Sequence, residues 1–379
     1  MAQNRIMIIG GDNSSDLYGA SLAQALKEII PDLALLGVGG ALMQDSGVEL
    51  IYNISELENL GGFEALRASH VVKRLIQRIS ESMDQFQPGL IVQIGLPVFS
   101  LKLIELAKTK EIPVAYYNSP LNWGTEEVKI SRLAEAVDLV IGVSRYETEL
   151  CQNYGIAVEF AGHPLVDIAD AKPGRKTAQE LNLTPGKPIL ALIPGLRETE
   201  VNVYLPTLFK AVNRINMEGR SIQTVVTVPQ SVSQECCNKL IEKWDVDTVT
   251  FTDDVHSVLS CADAAVVTSG SASIMAALSQ VPAVAIHKVT AATYLFNKML
   301  LRKPPFAMIN FLMQDYVIPE LVQNDFTEAK VADAVITLLE DQNSRLEYLE
   351  KLQRLPEEFG TSGAVERAAR IIAKMLKTG

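Results

Sequence analysis

The sequence predicts an α/β protein made of two doubly wound, Rossmann-like domains that face each other across a cleft. Three observations lead there. Short β-branched apolar runs alternate with longer helical patterns along the whole chain. Those runs are apolar at nearly every position, not every second one, which marks strands of parallel sheets covered by helices on both faces. The alternation breaks once, in Pro164–Lys187, where Ala171-Lys172-Pro173-Gly174 and Pro185-Gly186-Lys187 bracket one short helical stretch, the composition of an interdomain linker.

Taken in order, the strand-like runs of the first half are Ile6–Ile9, Leu33–Val38, Leu90–Ile94, Pro113–Tyr117 and Leu139–Val143. Those of the second half are Ile189–Ile193, Thr224–Val228, Val249–Thr252, Ala264–Thr268 and Ala283–Ile286. Helical spacing of apolar residues fills the gaps at Leu17–Ile29, Ala65–Gln87, Leu101–Lys110, Glu200–Arg214 and Ser273–Ser279, and returns in Ala364–Lys377 after the Gly360-Thr361-Ser362-Gly363 break. The expected domains are 1–168, completed by a helix within 362–379, and 169–361.

Composition narrows the function classes. The chain has 379 residues, 48% of them apolar and 21% charged, enough for two well-filled cores and incompatible with wholesale disorder. With 34 Lys+Arg against 45 Asp+Glu the net charge is −11, which excludes a general nucleic-acid binder. No stretch approaches the ~18 consecutive apolar residues of a membrane span, and Met1-Ala2-Gln3-Asn4-Arg5 leads into a strand without a signal-peptide core, so a cytoplasmic location is expected. Cys151, Cys236, Cys237 and Cys261 form no C-x-x-C pair, so neither a metal site nor a disulfide framework is expected, and no cofactor is implied.

Three strand-to-helix turns have the small-residue composition that lets backbone N–H groups approach a ligand. Gly10-Gly11-Asp12-Asn13-Ser14-Ser15-Asp16 carries two acids, which repel pyrophosphate; it suits hydroxyl binding or base chemistry, or serves as an N-cap cluster. Ile193-Pro194-Gly195-Leu196-Arg197 places an arginine where it pairs with a diphosphate or stays in solvent beside Glu200. Thr268-Ser269-Gly270-Ser271-Ala272-Ser273 offers hydroxyls and helix N–H groups to a phosphate or ribose, or simply caps its helix. Together they suggest a nucleotide on the C-terminal domain and an acceptor on the N-terminal one.

A wider set of residues joins these turns: Gly19-Ala20, Gly37, Gly39-Gly40, Ser119-Pro120 with Trp123, Gly162-His163-Pro164-Leu165-Val166-Asp167, Pro282, Asn310 and Pro319-Glu320-Leu321 with Gln323. On them the chain resembles, over essentially its whole length, the lipid-A-disaccharide synthase family. That resemblance implies a GT-B inverting glycosyltransferase joining UDP-2,3-diacylglucosamine to a diacylglucosamine 1-phosphate acceptor, peripheral on the inner membrane surface. It implies that Gly195, Arg197, Ser269, Gly270, Ser271 and Ala272 bind UDP, with Asn310, Glu320 and Gln323 lining the nucleotide side. His163, at the crossing between domains, is a catalytic candidate or a histidine bonded to backbone. A homodimer is compatible with the sequence.

Six positions depart from the family pattern. Gly95 and Val98 stand where the family has aspartates, the first believed to be the catalytic base; Asp12 replaces Glu, Ser15 Gly, Leu196 Ser and Met275 Glu. No carboxylate lies between Asp84 and Glu105. An inverting transfer needs a base near the acceptor hydroxyl and charge stabilisation for departing UDP. Asp16 is the expected surrogate base, with Asp12 the other candidate. The alternative function is a non-catalytic or altered-specificity homologue that binds UDP-sugar or lipid; an epimerase is disfavoured because its acidic cleft residues are missing. Finally, Leu60, Phe63, Leu66 and Arg67 run into Lys73 and Arg74, pairing apolar residues with a basic helical face as an interfacial helix does; the alternative is an amphipathic helix packed on the sheet. Tyr294–Phe306 has a similar makeup.

Overall fold

The computed structural model describes residues 4–54, 70–95, 100–119, 127–170, 178–195, 198–228, 249–288 and 305–378, with 235, 239 and 243 singly. By its contacts the chain divides into unit 1, Met1–Asp167 with Pro356–Gly379, and unit 2, Ile168–Leu355.

Unit 1 holds a seven-stranded sheet: β1 (Arg5–Ile9), β2 (Ala34–Gly39), β3 (Glu49–Asn53), β4 (Leu90–Ile94), β5 (Val114–Tyr117), β6 (Leu139–Gly142) and β7 (Val158–Phe160). Their order is β3-β2-β1-β4-β5-β6-β7 and every pairing is parallel. Unit 2 repeats the plan with β8 (Ile189–Ile193), β9 (Gln223–Thr227), β10 (Val249–Thr252), β11 (Ala264–Thr268), β12 (Ala283–His287) and β13 (Glu320–Val322), in the order β10-β9-β8-β11-β12-β13, again parallel. In each sheet the winding reverses between two central strands, β1 and β4 in unit 1 and β8 and β11 in unit 2. Open parallel sheets bind ligands beyond the carboxyl ends of strands at such a reversal.

The central strands form because both faces are covered: every residue of β4, β5, β8 and β9 is buried. The strands β3, β7 and β13, which the apolar pattern does not reveal, are all sheet edges whose residues are only half-buried or exposed. An edge strand has no continuous apolar run to display.

Helix α1 (Asn13–Ile29) buries Tyr18, Leu22, Ala23 and Leu26, and each such leucine removed from water contributes about 1.5–3 kcal/mol. The long helix α2 (His70–Phe86) turns Val72, Leu75, Ile79 and Met83 into the unit 1 core and leaves Lys73 and Arg74 exposed. The apolar side chains of that helix thus pack in the core while Lys73 and Arg74 stand at the surface, the arrangement of an amphipathic helix packed on the sheet. Leu60, Phe63, Leu66 and Arg67 lie outside the described residues, as does Tyr294.

The C-terminal helix α3 (Ala364–Thr378) joins unit 1 beside α1. Asp167 caps it, accepting from the N–H groups of Gly363 (2.7 Å), Ala364 (3.3 Å) and Val365 (2.8 Å). Arg367 donates back through Nε to the Ala161 carbonyl at 2.8 Å. Gly162 has φ +93°, and a Cβ there would sit 2.8 Å from the Phe359 carbonyl oxygen, so glycine is required. The Gly162–Asp167 motif is thereby the clasp that holds the returning chain.

Candidate active site

In unit 2, β11 ends in Ser269-Gly270 and passes directly into helix α4 (Ser271–Leu278). Gly270 is its N-cap and supplies no side-chain bond to the first turn, and among the described residues nothing lies within 4 Å of where its Cβ would be. The first N–H groups of a helix need partners from outside it, and Gly270 provides none from a side chain. Ala272 is buried at 9% exposure and offers only its backbone. Met275 is buried in the same helix. Ser273 Oγ donates to the Gly270 carbonyl at 2.7 Å and accepts from the Ile309 N–H at 3.2 Å, tying the turn to helix α5 (Met308–Met313).

Ser269 has a partner on the neighbouring strand. Its Oγ lies 2.8 Å from Nδ1 of His287, the last residue of the neighbouring strand β12. Phe306 covers the imidazole, with ring centroids 5.3 Å apart and a tilt of 30°. Burial lowers the pKa of His287, so the ring is held neutral and fixes the serine hydroxyl by accepting or donating through Nδ1. A polar residue directly after an apolar parallel strand was the available signal.

Gly195, at the end of β8, has φ +120°, and a Cβ there would meet Glu200 Oε2 at 2.2 Å and Glu200 Cβ at 2.8 Å. The turn therefore needs glycine to let Glu200 pack beneath it. Arg197 lies outside the described residues. Asn310 does not line the site. It is fully buried, with Oδ1 accepting from Val317 N–H (2.8 Å) and Ile318 N–H (3.0 Å), and Nδ2 donating to the Ile318 carbonyl and Glu320 Oε1, both at 2.8 Å. Glu320 also accepts from the N–H groups of Phe306 and Ala307 at 2.9 Å each. The expectation of ligand contact from Asn310 is corrected to a brace, and Glu320 shares in it: the pair holds the start of α5 against β13. Gln323 follows β13 at φ +53°, half-buried.

In unit 1 the corresponding reversal point is acidic. Asp12 is the N-cap of α1, its Oδ1 accepting from Ser15 N–H at 2.7 Å and Ser15 Oγ at 2.9 Å. Asp16 is 5% exposed and caps a second helix, α6 (Ala41–Asp45): Oδ1 accepts from Gly40 N–H (2.6 Å) and Met43 N–H (3.0 Å), and Oδ2 from Leu42 N–H (3.1 Å). A buried carboxylate so engaged serves the fold, which corrects the expectation that Asp16 is the surrogate base. Gly95, directly after β4, has φ +66°; a Cβ there would lie 2.5 Å from Ser15 Oγ and 4.0 Å from Asp12 Oδ2.

His163 is 1% exposed. Its Nδ1 accepts from Leu165 N–H at 3.1 Å, and its ring stands edge-on to Tyr18 (5.8 Å) and Phe359 (5.4 Å). Burial pushes its pKa down to about 3. The catalytic expectation for His163 is corrected to that of a neutral packing histidine. Glu147, which the motif analysis does not name, is fully buried and accepts from the N–H groups of Ser119 and Val143, both at 2.7 Å; burial pushes its pKa up to about 6. Ser144-x-x-Glu147 has capping-box spacing, and Ser144 Oγ accepts from Glu147 N–H at 3.0 Å. No group of three or more His, Cys, Asp or Glu among the described residues is placed to hold a metal ion, and no described helix is long and apolar enough to cross a membrane.

Comparison with known proteins agrees with this architecture. The chain is 33% identical over 381 residues to a lipid-A-disaccharide synthase of Coxiella burnetii (strain CbuG_Q212), covering 99% of this chain and 100% of the relative. It is 29% identical to the lipid-A-disaccharide synthase of Myxococcus xanthus, covering 99% and 98%. Among solved structures it is similar to S. aureus MnaA with UDP (TM-score 0.69, 15% identity, 99% and 97% covered). It is also similar to a Neisseria meningitidis UDP-GlcNAc 2-epimerase bound to UDP-GlcNAc (TM-score 0.65, 11% identity, 99% and 100% covered); identities this low speak for the fold alone. The model of the lipid-A-disaccharide synthetase family matches residues 6–374, and the chain belongs to that family of glycosyltransferases of lipid A biosynthesis.

Proposed function

We propose that the chain transfers a 2,3-diacylglucosamine from UDP to a lipid acceptor such as diacylglucosamine 1-phosphate. Unit 2 binds the UDP moiety through the N–H groups and hydroxyls of Ser269, Gly270, Ser271 and Ala272 at the start of α4, with Gly195 shaping the neighbouring turn and Arg197 as the arginine that pairs with the diphosphate. Asn310 and Glu320 support this site from behind, and Gln323 borders it. Leaving-group charge is met by the helix N-terminus and the arginine. Unit 1 takes the acceptor, and the exposed Lys73 and Arg74, with Arg67 before them, attract the anionic inner membrane surface. The observation that carries the reading is the open, hydroxyl-lined turn Ser269–Ser271 at the sheet reversal of a chain that matches one family along its length.

UDP added at a hundredfold excess over its dissociation constant should stabilise the protein by about 2.7 kcal/mol and raise its Tm accordingly. An unchanged Tm at millimolar UDP overturns the donor site. Release of UDP from UDP-diacylglucosamine only when the acceptor is present establishes transfer. UDP binding without release favours the second reading, a binding homologue, which rests on the absence of a carboxylate at Gly95. Flotation with anionic liposomes tests the membrane contact; no binding to them removes it.

A further inference from the structure

The transfer proposed above needs a group that takes the proton of the acceptor hydroxyl, and the sheet reversal of unit 1 is where that hydroxyl would be held. The described carboxylates that follow strands of this sheet include Asp12 and Asp16 after β1 and Glu147 after β6. Asp16 accepts three backbone N–H bonds and Glu147 two, with both oxygens of each engaged. Asp12 differs. Its Oδ1 is held by Ser15 N–H and Ser15 Oγ, while its Oδ2 accepts no hydrogen bond among the described residues. That oxygen lies 4.0 Å from the point where a side chain of residue 95 would begin.

Gly95 and Ser15 are sterically linked. A Cβ at 95 would stand 2.5 Å from Ser15 Oγ, far inside contact distance, so Ser15 occupies the volume that a side chain at 95 would need. Ser15 Oγ is fixed between Asp12 Oδ1 at 2.9 Å and the Ile94 carbonyl at 3.3 Å, and is 1% exposed. The hydroxyl thus fills the gap beside β4 and at the same time clamps one oxygen of Asp12, while the other lies 4.0 Å from the Cβ position of residue 95. A side chain at 95 and the Ser15 hydroxyl therefore exclude one another, so that one can be exchanged for the other only by changing both positions.

We propose that Asp12 is the general base of this chain and that Ser15 is the residue that positions it, in the space beside position 95. Asp12 Oδ2 takes the proton of the acceptor hydroxyl as the acceptor oxygen bonds to C1 of the donor sugar. The C1–O bond to UDP breaks, the electron pair leaves with UDP, and the proton passes from Asp12 to solvent. The inference rests on the function proposed above.

Asp12→Asn is the decisive variant, because Asn caps a helix as well as Asp does and the fold is retained. Its kcat should fall by about 10²–10⁴-fold while UDP raises its Tm as in the parent. Ser15→Ala should lower kcat several-fold at unchanged donor KM, and should cost nothing further in the Asp12→Asn background. In that background, Gly95→Asp should recover kcat at least tenfold when combined with Ser15→Gly and not when Ser15 is kept. Parent-like kcat in Asp12→Asn overturns the assignment. So does loss of the UDP-induced Tm shift in that variant, since a folding or binding role then accounts for the defect. Recovery by Gly95→Asp with Ser15 in place overturns the exchange. A parent protein that releases no UDP defeats the function itself, an outcome seen before any variant is made.

Discussion

The two sheets reverse at equivalent points and furnish those points with opposite chemistry. Unit 1 ends β1 in Asp12 and Asp16; unit 2 ends β11 in Ser269, Gly270 and Ser271. Both turns open a helix, and a helix N-terminus favours negative charge. In unit 1 the protein supplies that charge itself, so the first turn of α1 is satisfied internally and Asp12 has one oxygen left over. In unit 2 the cap is a glycine that brings no charge or side-chain bond of its own. One fold, used twice, thus carries a self-capped helix start in one copy and a glycine-capped one in the other, and the proposed proton acceptor and anion receptor follow that difference.

The largest effect that tests this contrast is on stability. Asp16→Ala removes the acceptor of three N–H groups around Gly40 and should cost roughly 3–5 kcal/mol in urea unfolding. Near-parent stability combined with lost turnover would return the chemical role to Asp16 and break the division of labour between the two acids.

Which parts of this were legible beforehand follows burial. Central strands such as Leu90–Ile94 and Ile189–Ile193 announce themselves because both faces are covered and every position is apolar. Glu320–Val322 is hidden because its residues are half-buried at an edge. The turns at Asp12 and Ser269 were readable as turns from their small residues, but the partners of their side chains were not. Ser15 Oγ reaches the Ile94 carbonyl across 79 positions of chain, and Ser269 reaches His287 across 18. Asn310 and Asp16 are polar residues near a site by sequence and braces by structure, because backbone donors arriving from other elements claim them first.

Next in size is a pH effect confined to unit 1. His163 is held neutral, with a pKa pushed from 6.5 down to about 3. Between pH 6.5 and 5 the unfolded chain binds a proton there and the folded chain does not, so folding stability rises with pH and about 2 kcal/mol is lost on acidification. Glu147 acts in the opposite sense below about pH 6, where its raised pKa lets the folded state hold a proton first, so stability from it is lost as pH rises from 4.5 to about 6. Comparing His163→Asn with the parent isolates the histidine: their difference in unfolding free energy should shrink by about 2 kcal/mol from pH 6.5 to 5. A constant difference would mean that the ring is not held neutral. In unit 2, Ser269→Ala should instead weaken UDP by about tenfold, near 1.4 kcal/mol, by calorimetry; an unchanged Kd would remove the hydroxyl from the receptor.

The smallest effect distinguishes a receptor that is assembled from one that is merely present. His287→Phe keeps an aromatic ring beside Phe306 and removes the nitrogen that fixes Ser269 Oγ. The hydroxyl is then free to turn, and UDP must restrict it on binding, a cost of about threefold in Kd at ordinary rotamer entropies. If the imidazole acts only through the serine, His287→Phe should have no further effect on UDP binding once Ser269 is alanine, and the double-mutant cycle should show a coupling close to the whole single-mutant effect. Additive losses would instead place the imidazole itself against the nucleotide. The anion receptor would then have two independent side-chain donors, and the contrast with unit 1 would rest on more than an uncapped helix.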